Sequence, residues 1–508
     1  MDTRTAILEP TTAWILLIAF GILWLGLGVW WGRRGKSLDG FMLANRNVGL
    51  ALGTATAVAT WITSNTTMLA PQLALEMGVW GMLSYSTAAI GLLLFAPMAG
   101  RIRELMPRGY TSAEFVRLRY GRPAWIVFLI ISLFYGLTWL VSMAMAGGLL
   151  LEALAGIPYV WGMTVILVVC VGYTVVGGLH AVIGTDFIQS VIVLIGIVVI
   201  AIAVLTQVDL AEIHASLDAN RPALLEVAFP AALMGVFNGL LFGLGEIFHS
   251  NVWWSRALAM REGVGPRAYT LAGLIWLPVP ILAGFLGLAA GSLDIPVVRP
   301  DMVGPLVAAE LLGNAGAILV FVVVFASLAS SIDSLLAATA DLVVHDVVHG
   351  VFGGRKLATH STAADSGTEG GTEGGTEAAA PDPKRSEDTR RRKQVARVIL
   401  GLGVLTWLLC LPRIGTLAEV LFLAGPLVGS TVWPILAGLY WKRANPRAAL
   451  WGMIAGSVLG LGCYVFVGWY TGALVGTAVS MTIVVIGAKL APHPFDWDSI
   501  RLPGKTDS

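Results

Sequence analysis

The run Thr60, Trp61, Ile62, Thr63, Ser64, Asn65, Thr66, Thr67 decides the fold. It sits in the middle of a stretch, 48–75, that is otherwise apolar enough to cross a membrane. All of its residues but Trp61 and Ile62 are Ser, Thr or Asn. Such side chains compete for backbone hydrogen bonds and favour local unwinding of a helix. Unwound backbone at membrane depth is tolerated only where it faces protein or a water-filled cavity. Carbonyls freed there are oxygen ligands for a hard cation. The run therefore predicts an interrupted membrane helix built around a site, not an anchor.

The rest of the chain agrees with a membrane setting. Of 508 residues, 56% are hydrophobic and only 12% are charged, against about 25% charged in soluble proteins. Mean hydropathy is +0.80. Glycine is abundant, at 60 residues, as expected where helices pack closely in lipid. The net charge of +1 gives no polyanion-binding signal, and nucleic acid is not expected as a partner. Cys170, Cys410 and Cys463 are far apart in apolar runs and read as buried thiols, not as metal ligands. No cleavable signal peptide is expected, because the first apolar run is long enough to span the bilayer.

A span needs about 20 apolar residues. Thirteen such runs are read, at 12–32, 48–75, 79–100, 123–150, 158–177, 185–206, 229–254, 268–291, 310–345, 395–412, 415–440, 448–468 and 471–491. Connections after odd-numbered spans carry the basic residues: Arg33, Arg34, Lys36 and Arg46; Arg101, Arg103, Arg108, Arg117, Arg119 and Arg122; Arg256, Arg261 and Arg267; Lys384 to Lys393; Lys442, Arg443 and Arg447. The opposite connections hold Arg221, Arg299 and Arg413. Positive charge stays on the cytoplasmic side, so a plasma-membrane protein with its N-terminus outside and its C-terminus in the cytoplasm is predicted. Residues 1–492 form one transmembrane unit and 493–508 a cytoplasmic tail. Residues 353–393, with Thr-Glu-Gly-Gly repeats and a basic cluster, read as a disordered cytoplasmic linker.

Span 7 breaks the apolar pattern as span 2 does. It contains Asn238, Gly239, Gly243 and Gly245, followed by Glu246. The glycines predict a weakened helix there. Paired interrupted helices in two halves point to a transporter site on inverted repeats. Five spans separate the two, which inverts direction, so the repeats are 2–6 (about 48–206) and 7–11 (about 229–440), with spans 1, 12 and 13 peripheral. Span 9 adds Ser327, Ser330, Ser331 and Ser334 on one helical face, with Asp333 beside them. Small residues packing one helix on another would also give that stripe.

Three stretches resemble the sodium:solute symporter family, whose members carry sugars, proline, iodide, vitamins and urea. They are Tyr173 to Gln189, Ser330-Ser331 with Asp346, and Gly425-Pro426 followed by Gly438 to Asn445. The resemblance implies an all-α fold of the leucine-transporter type, with five-plus-five inverted repeats. It also implies a sodium site formed by carbonyls of Ala59, Ile62 and Ser327 and hydroxyls of Ser330 and Ser331. Pro71 and Gly78 support the register. Trp61, Gly78-Val-x-Gly81, Phe248 and the Trp254-x-Arg256 cluster are similar to the urea-transporting branch. The sequence departs from the family at Ser327, Asp333 and Glu246, where Ala, Asn or Ser, and a neutral residue are usual.

The expected function is sodium-coupled uptake of a small polar solute, urea or a similar neutral molecule, by alternating access. Sodium is the coupling ion and no cofactor is expected. Trp61, Asn65, Gly243 and Glu246 are the expected solute residues, and Trp253 and Trp254 wall the pocket or anchor at the interface. Asp186 belongs to an inner gate or is a helix cap, and Asp333 and His249 are candidates for a proton or for a charge behind the sodium ligands. Proton coupling, or a carboxylate, amino-acid or cationic solute on the same fold, is the alternative. A transport-like membrane sensor would be expected to carry a signalling domain after the last span, where only Pro492 to Ser508 follow. Enzyme activity is not expected: there is no zinc-type His-Glu motif, nucleophile–base pairing or nucleotide loop.

Overall fold

The computed structural model describes residues 7–32, 42–226, 229–293, 295–351 and 383–501. Among them, twelve helices are long and apolar enough to cross a membrane. Span 2 is not among them: it is broken into Leu50–Trp61, a shorter apolar helix, and Ser64–Met77, which carries the polar run. The twelve begin with span 1 (Pro10–Gly32), span 3 (Val79–Leu105), span 4 (Arg122–Ala155), span 5 (Tyr159–Leu179), span 6 (Ala181–Gln207), span 7 (Pro230–His249) and span 8 (Val264–Ala289). Span 9 (Pro300–Val351), span 10 (Thr389–Cys410), span 11 (Leu417–Tyr440), span 12 (Pro446–Phe466) and span 13 (Trp469–Leu490) follow.

The break in span 2 has a local cause. Thr63 and Thr66 form a capping box: the Thr63 hydroxyl accepts from the Thr66 amide, and the Thr66 hydroxyl accepts from the Thr63 amide, both at 3.2 Å. Each of those amides would otherwise have closed a helical bond four residues back, onto the carbonyls of Ala59 and Ile62. The Thr66 hydroxyl also donates to the Trp61 carbonyl at 3.0 Å and so staples the two half-helices.

Span 7 departs from the sequence expectation. Gly239, Gly243 and Gly245 lie inside one continuous helix, Pro230–His249, and the interruption comes at Ser250, whose backbone is extended. The glycines serve packing instead. A Cβ on Gly239 would fall 2.4 Å from the Ser84 carbonyl, on Gly243 2.6 Å from the Ala88 Cβ, and on Gly245 2.5 Å from the Val428 backbone. They let spans 3 and 11 press against span 7. Gly243, expected beside the solute, is a helix-packing residue.

The basic connections meet one another. Arg46 donates to the Pro107 carbonyl at 3.1 Å, Arg119 to the Trp441 carbonyl at 3.0 Å, and Arg261 to Asn47 Oδ1 at 2.7 Å. The guanidinium of Arg101 lies 4.6 Å from the Trp497 ring. On the other face, Arg221 reaches the Leu75 carbonyl, Arg299 the Gly415 carbonyl, and Arg413 pairs with Glu152. Connections expected on the same side thus contact one another.

The linker expected at 353–393 falls mostly on residues that are not described. Residues 352–382 lie outside the described residues, but 383–393 are helical, in the helix Pro383–Cys410 that becomes span 10. Charged residues extend that helix beyond the apolar part.

Candidate functional site

Span 9 lies across the break of span 2. The Ser331 hydroxyl donates to the Ser327 carbonyl at 2.9 Å and reaches the Thr60 carbonyl at 3.4 Å. Ser327 itself donates to the Val323 carbonyl at 2.8 Å. The Ser330 hydroxyl donates to Asp186 Oδ1 at 2.6 Å. That commits its proton to the carboxylate and leaves the oxygen lone pairs free. The serine stripe thus meets span 2 at the Thr60 carbonyl and span 6 at Asp186.

Asp186 is no helix cap. It is fully buried, inside span 6, and belongs to a network the sequence did not reveal. Thr56 donates to its Oδ2 at 2.5 Å and Arg256 pairs with the same oxygen at 3.3 Å. Arg256, also fully buried, donates to Ser334 Oγ at 2.6 Å, to Thr56 Oγ1 at 3.0 Å and to the Val252 carbonyl at 3.1 Å. One arginine thereby ties span 2, span 6, span 9 and the helix Asn251–Ala259 together. Asp333 stands behind it: Oδ1 accepts from Ser334 at 3.2 Å and Oδ2 has no hydrogen-bond partner. Asp346, further along span 9, accepts from Thr111 at 2.7 Å and from Trp125 at 3.1 Å.

A second cluster lies between spans 2, 3, 4 and 7. Glu246 is buried and accepts from the Tyr135 hydroxyl at 2.9 Å. His249, three residues on, does not bond the carboxylate through Nδ1, which lies 2.7 Å from the Gly245 carbonyl. Its ring meets Tyr135 edge-on, with centroids 4.7 Å apart. Further along span 4, Ser142 donates to Asn65 Oδ1 at 3.2 Å. The Asn65 amide nitrogen, the Ser64 hydroxyl and the Trp139 indole N–H are buried without partners. Groups left unpaired like this cost free energy unless a polar molecule meets them.

The tryptophans close one wall. Trp61 packs in tilted contact with Trp253 at 5.1 Å and Trp276 at 5.0 Å between ring centroids, and its carbonyl accepts from the Trp276 indole at 2.8 Å. Trp253 and Trp254 are fully buried, so interfacial anchoring does not account for them. Of the expected solute residues, Trp61 packs against Trp253 and Trp276, Asn65 meets Ser142 and Glu246 meets Tyr135. Tyr135 was not foreseen, because nothing in the local sequence of span 4 distinguishes it from a core aromatic. Arg256 reads in the sequence as part of a motif and as one of the basic residues of the connection after span 7; instead it is fully buried in the helix Asn251–Ala259, held there by its bonds to Asp186, Ser334 and Thr56.

Comparison with known proteins accords with this geometry. The chain is 27% identical to the urea-proton symporter of Oryza sativa subsp. japonica, over 97% of this chain and 73% of that protein. It is 25% identical to the osmoregulated proline transporter of Bacillus subtilis, over 87% of each, and 24% identical to the sodium/pantothenate symporter of Escherichia coli, over 87% and 88%. In structure it resembles a Na+-coupled sialic acid symporter in its substrate-bound outward-open state, with a TM-score of 0.72 at 18% identity, covering 95% of this chain and 99% of that one. A nucleobase-cation-symport-1 family transporter gives 0.51 at 15% identity, over 91% and 97%. The fold is the all-α, inverted-repeat architecture of the leucine-transporter type, and the relatives are transporters, not enzymes. The sodium:solute symporter family model matches residues 41–359, and this chain belongs to that family.

Proposed function

We propose that the chain takes up a small polar solute, of the size and hydrogen-bonding type of urea, by sodium-coupled alternating access in the plasma membrane. The observation that supports this reading is the capping box at Thr63 and Thr66, which takes the helical partners from the Ala59 and Ile62 carbonyls beside the point where span 9 reaches the Thr60 carbonyl. The proposed ligands are those two carbonyls and the hydroxyls of Ser330 and Ser331. Those four oxygens with the Ser327 carbonyl make a mostly neutral shell, suited to a weakly held monovalent ion that must also leave. Dense carboxylates would instead suit calcium. Sodium stabilises span 2 against span 9, and the solute binds between spans 2, 4 and 7, with its polar head at Glu246. The N-terminus lies outside and the basic face is cytoplasmic. One charge crossing about 100 mV supplies about 2.3 kcal/mol before any concentration term.

The test is uptake into proteoliposomes of a panel of labelled solutes, with and without an inward sodium gradient. Accumulation that collapses with the gradient supports the reading, and uptake indifferent to sodium overturns it. A second reading, proton coupling, is favoured by the buried Glu246, whose hydrogen-bond partner is the neutral Tyr135, and by the proton coupling that the name of the rice relative states for that protein. Uptake driven by a pH gradient at equal sodium on both sides would establish it.

A further inference from the structure

We propose that the solute carries its own positive charge on a planar N–H fork, of the guanidinium or amidinium class, and that Glu246 is its counter-ion. This rests on reading spans 2, 4 and 7 as the solute site, and it names the chemistry of that site.

Glu246 is only 3% exposed. Among the described residues no Lys, Arg or His side chain forms an ion pair with it, and the hydrogen bond it receives comes from the neutral Tyr135 hydroxyl. The groups facing it are Tyr135 from span 4 and Tyr85 from span 3. Arg256, the buried cation nearby in sequence, is committed to Asp186, Ser334 and Thr56. The carboxylate thus lacks a protein counter-charge.

His249 sharpens the point. A carbonyl can only accept, so the 2.7 Å contact with Gly245 places the imidazole proton on Nδ1. Nε2 is then a bare acceptor, buried and without a partner. Glu246 and His249 both meet Tyr135, so two acceptors in want of donors lie against one aromatic ring. Trp139 adds a second ring, 6.0 Å from Tyr135, with a buried indole N–H that also lacks a partner.

Urea would satisfy the acceptors but leave the carboxylate's charge uncompensated in a low-dielectric setting. A carboxylate solute would be repelled. A guanidinium has urea's planar shape, gives a carboxylate two parallel N–H bonds, and lies favourably over an aromatic face. The unpaired donor of Asn65 does not compete for this head group. Asn65 meets span 4 at Ser142, seven residues from Tyr135, which is about 10 Å along the helix.

The experiment is equilibrium binding of labelled guanidinium to the purified full-length protein in sodium buffer, with methylguanidinium, urea and acetate as competitors. Guanidinium and methylguanidinium should compete at least about tenfold better than urea, and acetate should not compete. Glu246→Gln should lose guanidinium by about tenfold or more while urea changes little. Glu246→Asp keeps the charge and should keep the preference for cations, which separates loss of the counter-ion from loss of the fold. Equal competition by urea and guanidinium, or undiminished guanidinium binding by Glu246→Gln, overturns the proposal; equal competition with tighter urea binding at low pH would assign a proton to Glu246 instead. Sodium-driven urea uptake with no guanidinium binding would defeat this assignment and leave the transport reading standing. Guanidinium binding as expected, with uptake indifferent to sodium, would do the reverse.

Discussion

The Ser330 hydroxyl points its proton at Asp186 and presents lone pairs elsewhere, and that orientation is what a cation ligand needs. Ser330→Ala removes one such oxygen without adding bulk. Losing a charge-assisted contact of about 1.5–3 kcal/mol should raise the half-saturating sodium concentration by roughly tenfold to a hundredfold. Solute affinity at saturating sodium should change less. If the serines only pack helices together, alanine fits and a sodium titration of uptake should hardly move. The stripe was legible because 327, 330, 331 and 334 share one helical face. The partner of Ser330 was not: Asp186 lies 144 residues away, and no local pattern marks two residues as neighbours across a fold. Glu246 was legible as an anomaly, a carboxylate in a span, while Tyr135, its hydrogen-bond donor, carried no signal at all.

At the level of helices, span 2 and span 7 show what a local reading can and cannot reach. Thr63-Ser64-Asn65-Thr66 breaks its helix through its own side chains, so the sequence contained the cause. In span 7 the glycines looked like the weak point, yet they are held helical by spans 3 and 11, and the chain turns at Ser250 instead. Their role depends on neighbours that a single sequence does not place. Gly245→Ala should therefore behave as overpacking, since its Cβ would sit 2.5 Å from the Val428 backbone, which cannot swing away. A loss of about 1–3 kcal/mol is expected, seen as a lower melting temperature in detergent. Gly462→Ala, with nothing within 4 Å of the added carbon, should leave the melting temperature near that of the wild type. Thr63→Val removes the cap oxygen, worth about 1 kcal/mol at a helix start. It should weaken sodium dependence of uptake more than it lowers stability, because the freed Thr66 amide can return to the Ile62 carbonyl.

Across the whole molecule, the two faces are tied differently. On the face opposite the basic one, Asp301 is fully buried, pairs with Arg299 at 2.7 Å and accepts from the Leu417 amide at 3.3 Å, joining the start of span 9 to the start of span 11. Towards the basic face, Arg256 joins spans 2, 6 and 9 beneath the serine stripe. The twelve long apolar helices were readable from hydropathy because it is additive along a chain. Which ties hold each face shut was not, because a tie is a pair. Alternating access requires that the two sets of ties do not persist together through the cycle. If the Arg256 network closes the basic side, a cysteine placed at Ala338, which is buried and whose carbonyl accepts from Asn251, should be shielded while the network is intact. The native cysteines at 170, 410 and 463 are first replaced. Ala338→Cys should then react slowly with a membrane-impermeant maleimide applied from the basic side in sodium. Adding Arg256→Gln leaves Asp186 without its cation, and the unpaired carboxylate should draw water inward and loosen span 6 from span 9. The labelling rate should rise by about tenfold, equivalent to about 1.4 kcal/mol in the closed-to-open balance. Opposite-side labelling of a cysteine at Leu75, beside Arg221, should fall in the same variant as the population moves towards the inward-open state. An unchanged rate at Ala338 would mean that the arginine merely fills space and that closure is set elsewhere. A rise at both positions would mean general loosening, with no shift between two states.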